Sequence, residues 1–131
     1  MMAAEHLLDT CALLWWMADA PELGKKARRL IVNPENRILV SVASLWEIAI
    51  KQRKGRLTGV ETYLSRFDEL HNQWGFHLLA MEPQDAVAAG ALDVPHTDPF
   101  DRMLIVQSHR IRAPIVTCDE AITRFARATV W

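Results

Sequence analysis

The period of the apolar positions changes repeatedly along the chain. His6-Leu7-Leu8 is a short apolar run ending at Asp9, and Thr10 opens a stretch with Leu13, Leu14 and Met17 at helical spacing that stops before Pro21. The pattern predicts a strand, a sharp turn and a helix. Residues 22–32 carry Leu23, Ala27, Leu30 and Ile31 at helical spacing, and Asn33-Pro34-Glu35-Asn36 supplies turn chemistry. A second β-rich run covers 37–41. The next helix opens at Ser44, with Glu47 at capping-box spacing, and runs to Lys54 before Gly55.

Residues 60–70 are amphipathic, with Val60, Leu64, Phe67 and Leu70 on one face, and 76–79 form a third strand candidate. An Ala-rich stretch over 84–92 reads as a short helix. Asp98-Pro99 places an N-cap before a proline at the first helical position, and the helix continues over 100–109. Met103-Leu104-Ile105-Val106 is apolar on all sides, so this helix is expected to be well buried. A fourth strand covers 114–117, a last helix 120–127, and 128–131 reads as an edge strand. Strands alternating with helices argue for an α/β fold with a parallel sheet covered on both faces.

No repeat, low-complexity tract or linker divides residues 1–131, which read as one domain. The longest apolar run, 11–18, is eight residues, far below the ~20 needed to span a bilayer as a helix, so no membrane segment is expected. Ala18-Asp19-Ala20 imitates a signal cleavage site, but no Lys or Arg precedes Lys25, and the first residues read as part of the fold. Cys11 and Cys118 lack any Cys/His ligand spacing and are too few for a disulfide framework. A reducing, cytoplasmic setting and reduced, packed thiols are expected.

Asp9 and Asp119 each stand where an apolar strand gives way to a helix, the edge at which parallel sheets build their sites. Each also suits a plain helix cap. Glu47 lies in Leu45-Trp46-Glu47-Ile48-Ala49-Ile50, where its neighbours are nearly all apolar; capping with Ser44 or an i,i+4 pair with Lys51 are its structural alternatives. Asp98 and Asp101 share a face in the first turn of their helix, which the helix dipole also favours. Carboxylates recurring in separate segments point to hard divalent cations, which take oxygen ligands. Without metal, such a cluster repels itself, raising at least one pKa, and a cation relieves that.

The runs Leu7-Leu8-Asp9-Thr10, Ser41-Val42-Ala43-Ser44-Leu45-Trp46-Glu47-Ile48-Ala49-Ile50-Lys51, His96-Thr97-Asp98-Pro99-Phe100-Asp101-Arg102-Met103-Leu104-Ile105 and Ile115-Val116-Thr117-Cys118-Asp119 together resemble PIN-domain ribonucleases, specifically the VapC toxins of type II toxin–antitoxin (VapBC) systems. The resemblance covers essentially the whole chain. It implies a three-layer α/β/α sandwich around a mostly parallel sheet and a Mg2+- or Mn2+-dependent endoribonuclease. On the matching positions Asp9, Glu47, Asp101 and Asp119 would be the catalytic, metal-holding acids. Asp98 would be a ligand or a helix cap, and Thr10 and Thr117 would orient the acids. A cognate VapB-type antitoxin and a homodimer are implied partners. Cys11 departs from the pattern, many close relatives carrying His there.

The 15 basic and 16 acidic residues give a net charge of −1, which supplies no basic footprint. Without Asp9, Glu47, Asp98, Asp101 and Asp119, however, 15 basic residues face 11 acidic ones, a surplus of +4 compatible with RNA. Lys51, Lys54 and Arg102, which follow acids on their own helices, are the candidates to guide a phosphate backbone. Trp15, Trp16, Trp46 and Trp74 offer rings for RNA bases, although Trp46 reads as core, and at least one of the adjacent pair Trp15 and Trp16 should be exposed or covered by a partner. Two other classes fit the acids: a different Mg2+-dependent phosphoryl-transfer enzyme, disfavoured by Cys11 where a second acid would stand, and a catalytically silent module whose acids only cap helices.

Overall fold

In the computed structural model, which describes residues 3–131, the chain runs β1 (Ala4–Leu8), α1 (Thr10–Met17), α2 (Lys25–Val32), β2 (Asn36–Ser41), α3 (Val42–Arg53), α4 (Glu61–Trp74), β3 (Phe76–Leu79), α5 (Pro83–Ala91), α6 (Pro99–Ile111), β4 (Ile115–Val116), α7 (Glu120–Phe125) and β5 (Thr129–Val130). The five strands form one parallel sheet in the order β3-β2-β1-β4-β5. The chain therefore builds outward from β1 through β2 and β3, then returns to β1's other edge with β4. The reversal falls between β1 and β4, and the space outside their carboxyl ends is where sheets of this kind place ligands.

Alternation along each strand divides the core into two layers. Leu7, Leu39 and Ile115 are mutually in register across β2-β1-β4 and enter a cluster with Leu104 and Ile105 of α6 and Ile122 of α7. Their neighbours Leu8, Val40 and Val116, also in register, point the other way into a cluster with Ala12 and Leu13 of α1, Ala27 and Ile31 of α2, Ile48 of α3 and Tyr63 of α4. The product is the three-layer α/β/α sandwich. Slipping β1 by one residue would exchange Leu7 and Leu8 between the layers.

Most predicted elements stand, with shifted ends. The helix expected over 22–32 begins only at Lys25, after Gly24, while Leu23 is buried from the preceding turn. The capping box expected between Ser44 and Glu47 does not form. The cap is Ser41, whose Oγ accepts from Ala43 N at 3.0 Å and donates to Gln107 Oε1 at 2.7 Å, so α3 starts directly from the end of β2. That earlier start leaves Ser44 and Glu47 in the helix body. The helix predicted over 60–70 extends to Trp74 and ends on Gly75 at φ 73°, a left-handed conformation that glycine adopts without strain.

Candidate active site

The turn from β1 into α1 is fixed by Asp9, which caps the helix by accepting from Ala12 N at 2.7 Å through Oδ1. Its other oxygen, Oδ2, accepts from the Thr117 hydroxyl at 2.5 Å, and its backbone N–H donates to the Val116 carbonyl at 3.1 Å. Thr117 Oγ1 in turn accepts from Asp119 N at 2.9 Å. One hydroxyl thus locks the ends of β1 and β4 together at the topological switch. Asp119 caps α7 through Oδ1, 3.0 Å from Ile122 N, and its side chain stands in solvent.

Glu47 is buried, one turn into α3, facing α1. Its Oε1 accepts from Thr10 Oγ1 at 2.7 Å, Thr10 also lies 3.0 Å from Ser44 Oγ, and Oε2 accepts from Lys51 Nζ at 2.5 Å. Asp98 caps α6, with Oδ1 accepting from Phe100 N at 2.9 Å and Asp101 N at 3.2 Å. Asp101, one turn on, has Oδ2 2.8 Å from His96 Nε2. The capping alternative therefore holds for three of the acids, yet each cap uses only Oδ1.

Electrostatic interaction links Asp9, Asp101 and Asp119. Burial pushes the Asp9 carboxyl up to about 6; the Thr117 and Ala12 hydrogen bonds pull it down, while Asp101 and Asp119 push it further up. Asp101 is likewise raised to about 6, by burial first, with Asp98 and Asp119 adding to it and His96 opposing. Lys51 is held above its ordinary value, chiefly by its hydrogen bond to Glu47.

These donors are hard oxygens, the chemistry that Mg2+ and Mn2+ prefer. Among the described residues, no three His, Cys, Asp or Glu side chains meet closely enough to ligate one ion together. Mg2+ ordinarily takes only one or two carboxylates and keeps several waters, so the donor set fits such an ion without a closed protein cage.

Several sequence expectations change. Arg102 is not a free phosphate guide: its guanidinium donates to the carbonyls of Ala89 at 2.9 Å, Leu92 at 2.6 Å and His96 at 2.8 Å, stapling the 92–96 loop to α6. Lys51 is occupied by Glu47, as an i,i+4 pair. Lys54 is exposed. Trp46 is not core but 56% exposed, because the buried face of α3 runs through Ser44, Glu47 and Ile48. Trp15 and Trp16 are instead both partly buried, packed on Trp131 and Phe76 respectively. The thiols of Cys11 and Cys118 are free as expected, but exposed rather than packed.

His96 is the site residue that sequence reasoning gave no role. Its only signal is its place in His96-Thr97-Asp98-Pro99-Phe100-Asp101, and the contact with Asp101 depends on how the loop folds back over the start of α6. It also stands between two clefts, one of about 420 Å³ against Arg124 and Phe125 and one of about 460 Å³ against Lys51, Lys54 and Arg56.

The PIN domain family model matches residues 6–128. Among solved structures, VapBC2 from Rickettsia felis bound to a DNA fragment from their promoter is similar with a TM-score of 0.69 at 15% identity, covering 97% of each chain. PAE2754 from Pyrobaculum aerophilum is similar with a TM-score of 0.60 at 18% identity, covering 98% of this chain and 90% of that one. At such identities the likeness is one of fold. A search of curated protein sequences gives no significant match.

Proposed function

The chain belongs to the PIN domain family, and from that premise we propose that it is a divalent-metal-dependent endoribonuclease, the toxin of a VapBC-type pair. The observation that carries the reading is the state of Asp9. Its buried carboxyl stands at the β1–β4 switch, where the Thr117 hydroxyl that donates to it also accepts from the Asp119 N–H, tying two of the acids together across the sheet. A residue needed only to cap α1 has no use for that second bond, made by the oxygen the cap leaves free.

Asp9, Asp101, Asp119 and Glu47 would between them hold one or two Mg2+ or Mn2+ ions, with no more than one or two carboxylates to an ion and the rest acting through its waters. When bound, the ion supplies a water nucleophile at neutral pH and stabilises charge on the scissile phosphate. The chain's own part is positional. Thr117 fixes the direction of Asp9 relative to Asp119, Thr10 does the same for Glu47, and His96 holds Asp101. Lys51 balances Glu47 before any cation arrives. Asp98 acts as the cap that orients the first turn of α6.

The partner reading is a VapB-type antitoxin, and it is supported by the fold likeness to a protein described with its own VapB. A homodimer is proposed with it.

The test is cleavage of a total RNA pool with Mg2+ or Mn2+, with EDTA, and with Asp9→Asn. Metal-dependent cleavage, lost in EDTA and in the variant, is expected. A folded protein that cuts no RNA in either metal overturns the nuclease reading, and expression without growth arrest overturns the toxin reading.

A further inference from the structure

All five tryptophans but one rest against the core: Trp15, Trp16, Trp74 and Trp131 are partly buried on it, whereas Trp46 is 56% exposed. Its ring meets Phe100 edge-on, with centroids 5.2 Å apart and planes at 83°. Phe100 lines the cleft of about 460 Å³ between the C-terminal half of α3 and the N-terminus of α6, together with Ile50, Lys54 and Arg56. An indole left largely in water while Ser44, Glu47 and Ile48 of the same helix are buried forgoes the partial burial that its four counterparts obtain.

The charges beside it are of a particular kind. Lys51 is spent on Glu47, but Lys54 and Arg56 are exposed and, among the described residues, enter no ion pair. They are placed by the end of α3: Lys54 is its C-cap, Gly55 turns the chain at φ 74°, and Arg56 N–H donates to the Lys51 carbonyl at 2.8 Å. The same cleft is walled by Glu47, His96 and Asp98, so whatever enters it lies beside two of the acids.

We infer that this cleft is a subsite for one nucleotide of single-stranded RNA, its base stacked on the Trp46–Phe100 ridge and its phosphate held by Lys54 and Arg56. The inference rests on the ribonuclease reading and deepens it. Aromatic faces accept any base and cations track the backbone, which is how proteins hold single strands without reading sequence. The pairing of a free ring with free cations favours a polyanion bearing flat groups over a protein helix, which would need an apolar surface without two unpaired cations.

The experiment uses the full chain carrying Asp9→Asn to block cleavage. Its probes are a fluorescent single-stranded RNA of mixed sequence, roughly eight nucleotides long, and an abasic strand of the same length. Trp46→Ala is expected to weaken the base-bearing strand about 5- to 100-fold while leaving the abasic strand unchanged. Trp46→Phe, which keeps a stacking face, should restore most of the affinity and guards against a folding artefact. Lys54→Ala with Arg56→Ala should weaken both strands and flatten the dependence of log K on log salt by about 0.7, the value for one phosphate on a single strand.

Equal binding by Trp46→Ala and its parent overturns the inference, as does an equal loss on the abasic strand. Loss of self-association or antitoxin binding, with RNA binding intact, assigns the ridge to a protein and overturns it too. If the wild-type chain cuts RNA while Trp46→Ala binds normally, only the subsite falls. If the wild-type chain neither cuts nor binds RNA, both readings fall.

Discussion

Replacing Asp9 with Asn should make the metal-free protein more stable at pH 8. The Asp9 carboxyl titrates near 6 in the folded chain against an ordinary 3.8, and at 1.36 kcal/mol per pH unit that gap corresponds to about 3 kcal/mol. The sign follows from proton binding. Between the two values the folded state holds the proton that the unfolded state has released, so stability is full below about pH 4 and is lost as pH rises through 6. Asn cannot ionise, and it caps helices as well as Asp does, so the hydrogen bond to Ala12 N survives. The contact with Thr117 must rearrange, which costs about 1 kcal/mol and leaves a net gain of about 2 kcal/mol at pH 8.

For a chain of this length that gain corresponds to roughly 6–10 °C in Tm. The assay is thermal and urea unfolding of both proteins in EDTA at pH 4 and pH 8, repeated with millimolar Mg2+. The advantage of Asp9→Asn should vanish near pH 4, and Mg2+ should raise the Tm of the wild-type chain far more than that of the variant. A difference independent of pH, or a variant less stable at pH 8, would refute the claim that Asp9 is held under electrostatic load.

Thr117→Val removes the hydroxyl that lowers the Asp9 pKa, so the acidic limb of the pH–cleavage profile should move to higher pH, and an unmoved limb would show that Thr117 does not tune Asp9. Arg102→Ala should cost about 3 kcal/mol or more in urea unfolding, since charged hydrogen bonds to three short carbonyl contacts are lost, and Arg102→Lys should not restore it. Weakened RNA affinity at unchanged stability would instead return Arg102 to the phosphate-guiding role. Arg110→Ala leaves the 2% exposed Asp85 without its partner, whose hydrogen bonds and charge hold that carboxyl below its ordinary value despite burial. The stability of this pair is present above the ordinary Asp pKa and lost as pH falls. The variant should therefore lose about 2–3 kcal/mol at pH 7, and less below pH 4.

The sequence by itself determined the layers and the location of the acids. Short apolar runs at Leu7-Leu8 and Ile38-Leu39-Val40, each ending at a polar residue and giving way to helical spacing, read as parallel strands buried on both faces, because run length and spacing are local properties of the chain. What Asp9 does besides capping is not local. Its second oxygen meets Thr117, 108 residues away, only because β4 returns to the free edge of β1.

The same holds for the positions that sequence misjudged. Trp46 sits in an apolar run that reads as core, but α3 begins at Ser41's cap and turns Ser44, Glu47 and Ile48 inward, which sends the indole to the surface. Arg102 follows an acid as a phosphate guide would, yet carbonyls turned toward it by the 92–96 loop absorb its donors. Pattern specifies which residues share a face. Which partner reaches that face is decided by contacts between segments distant in sequence, and those exist only once the chain has folded.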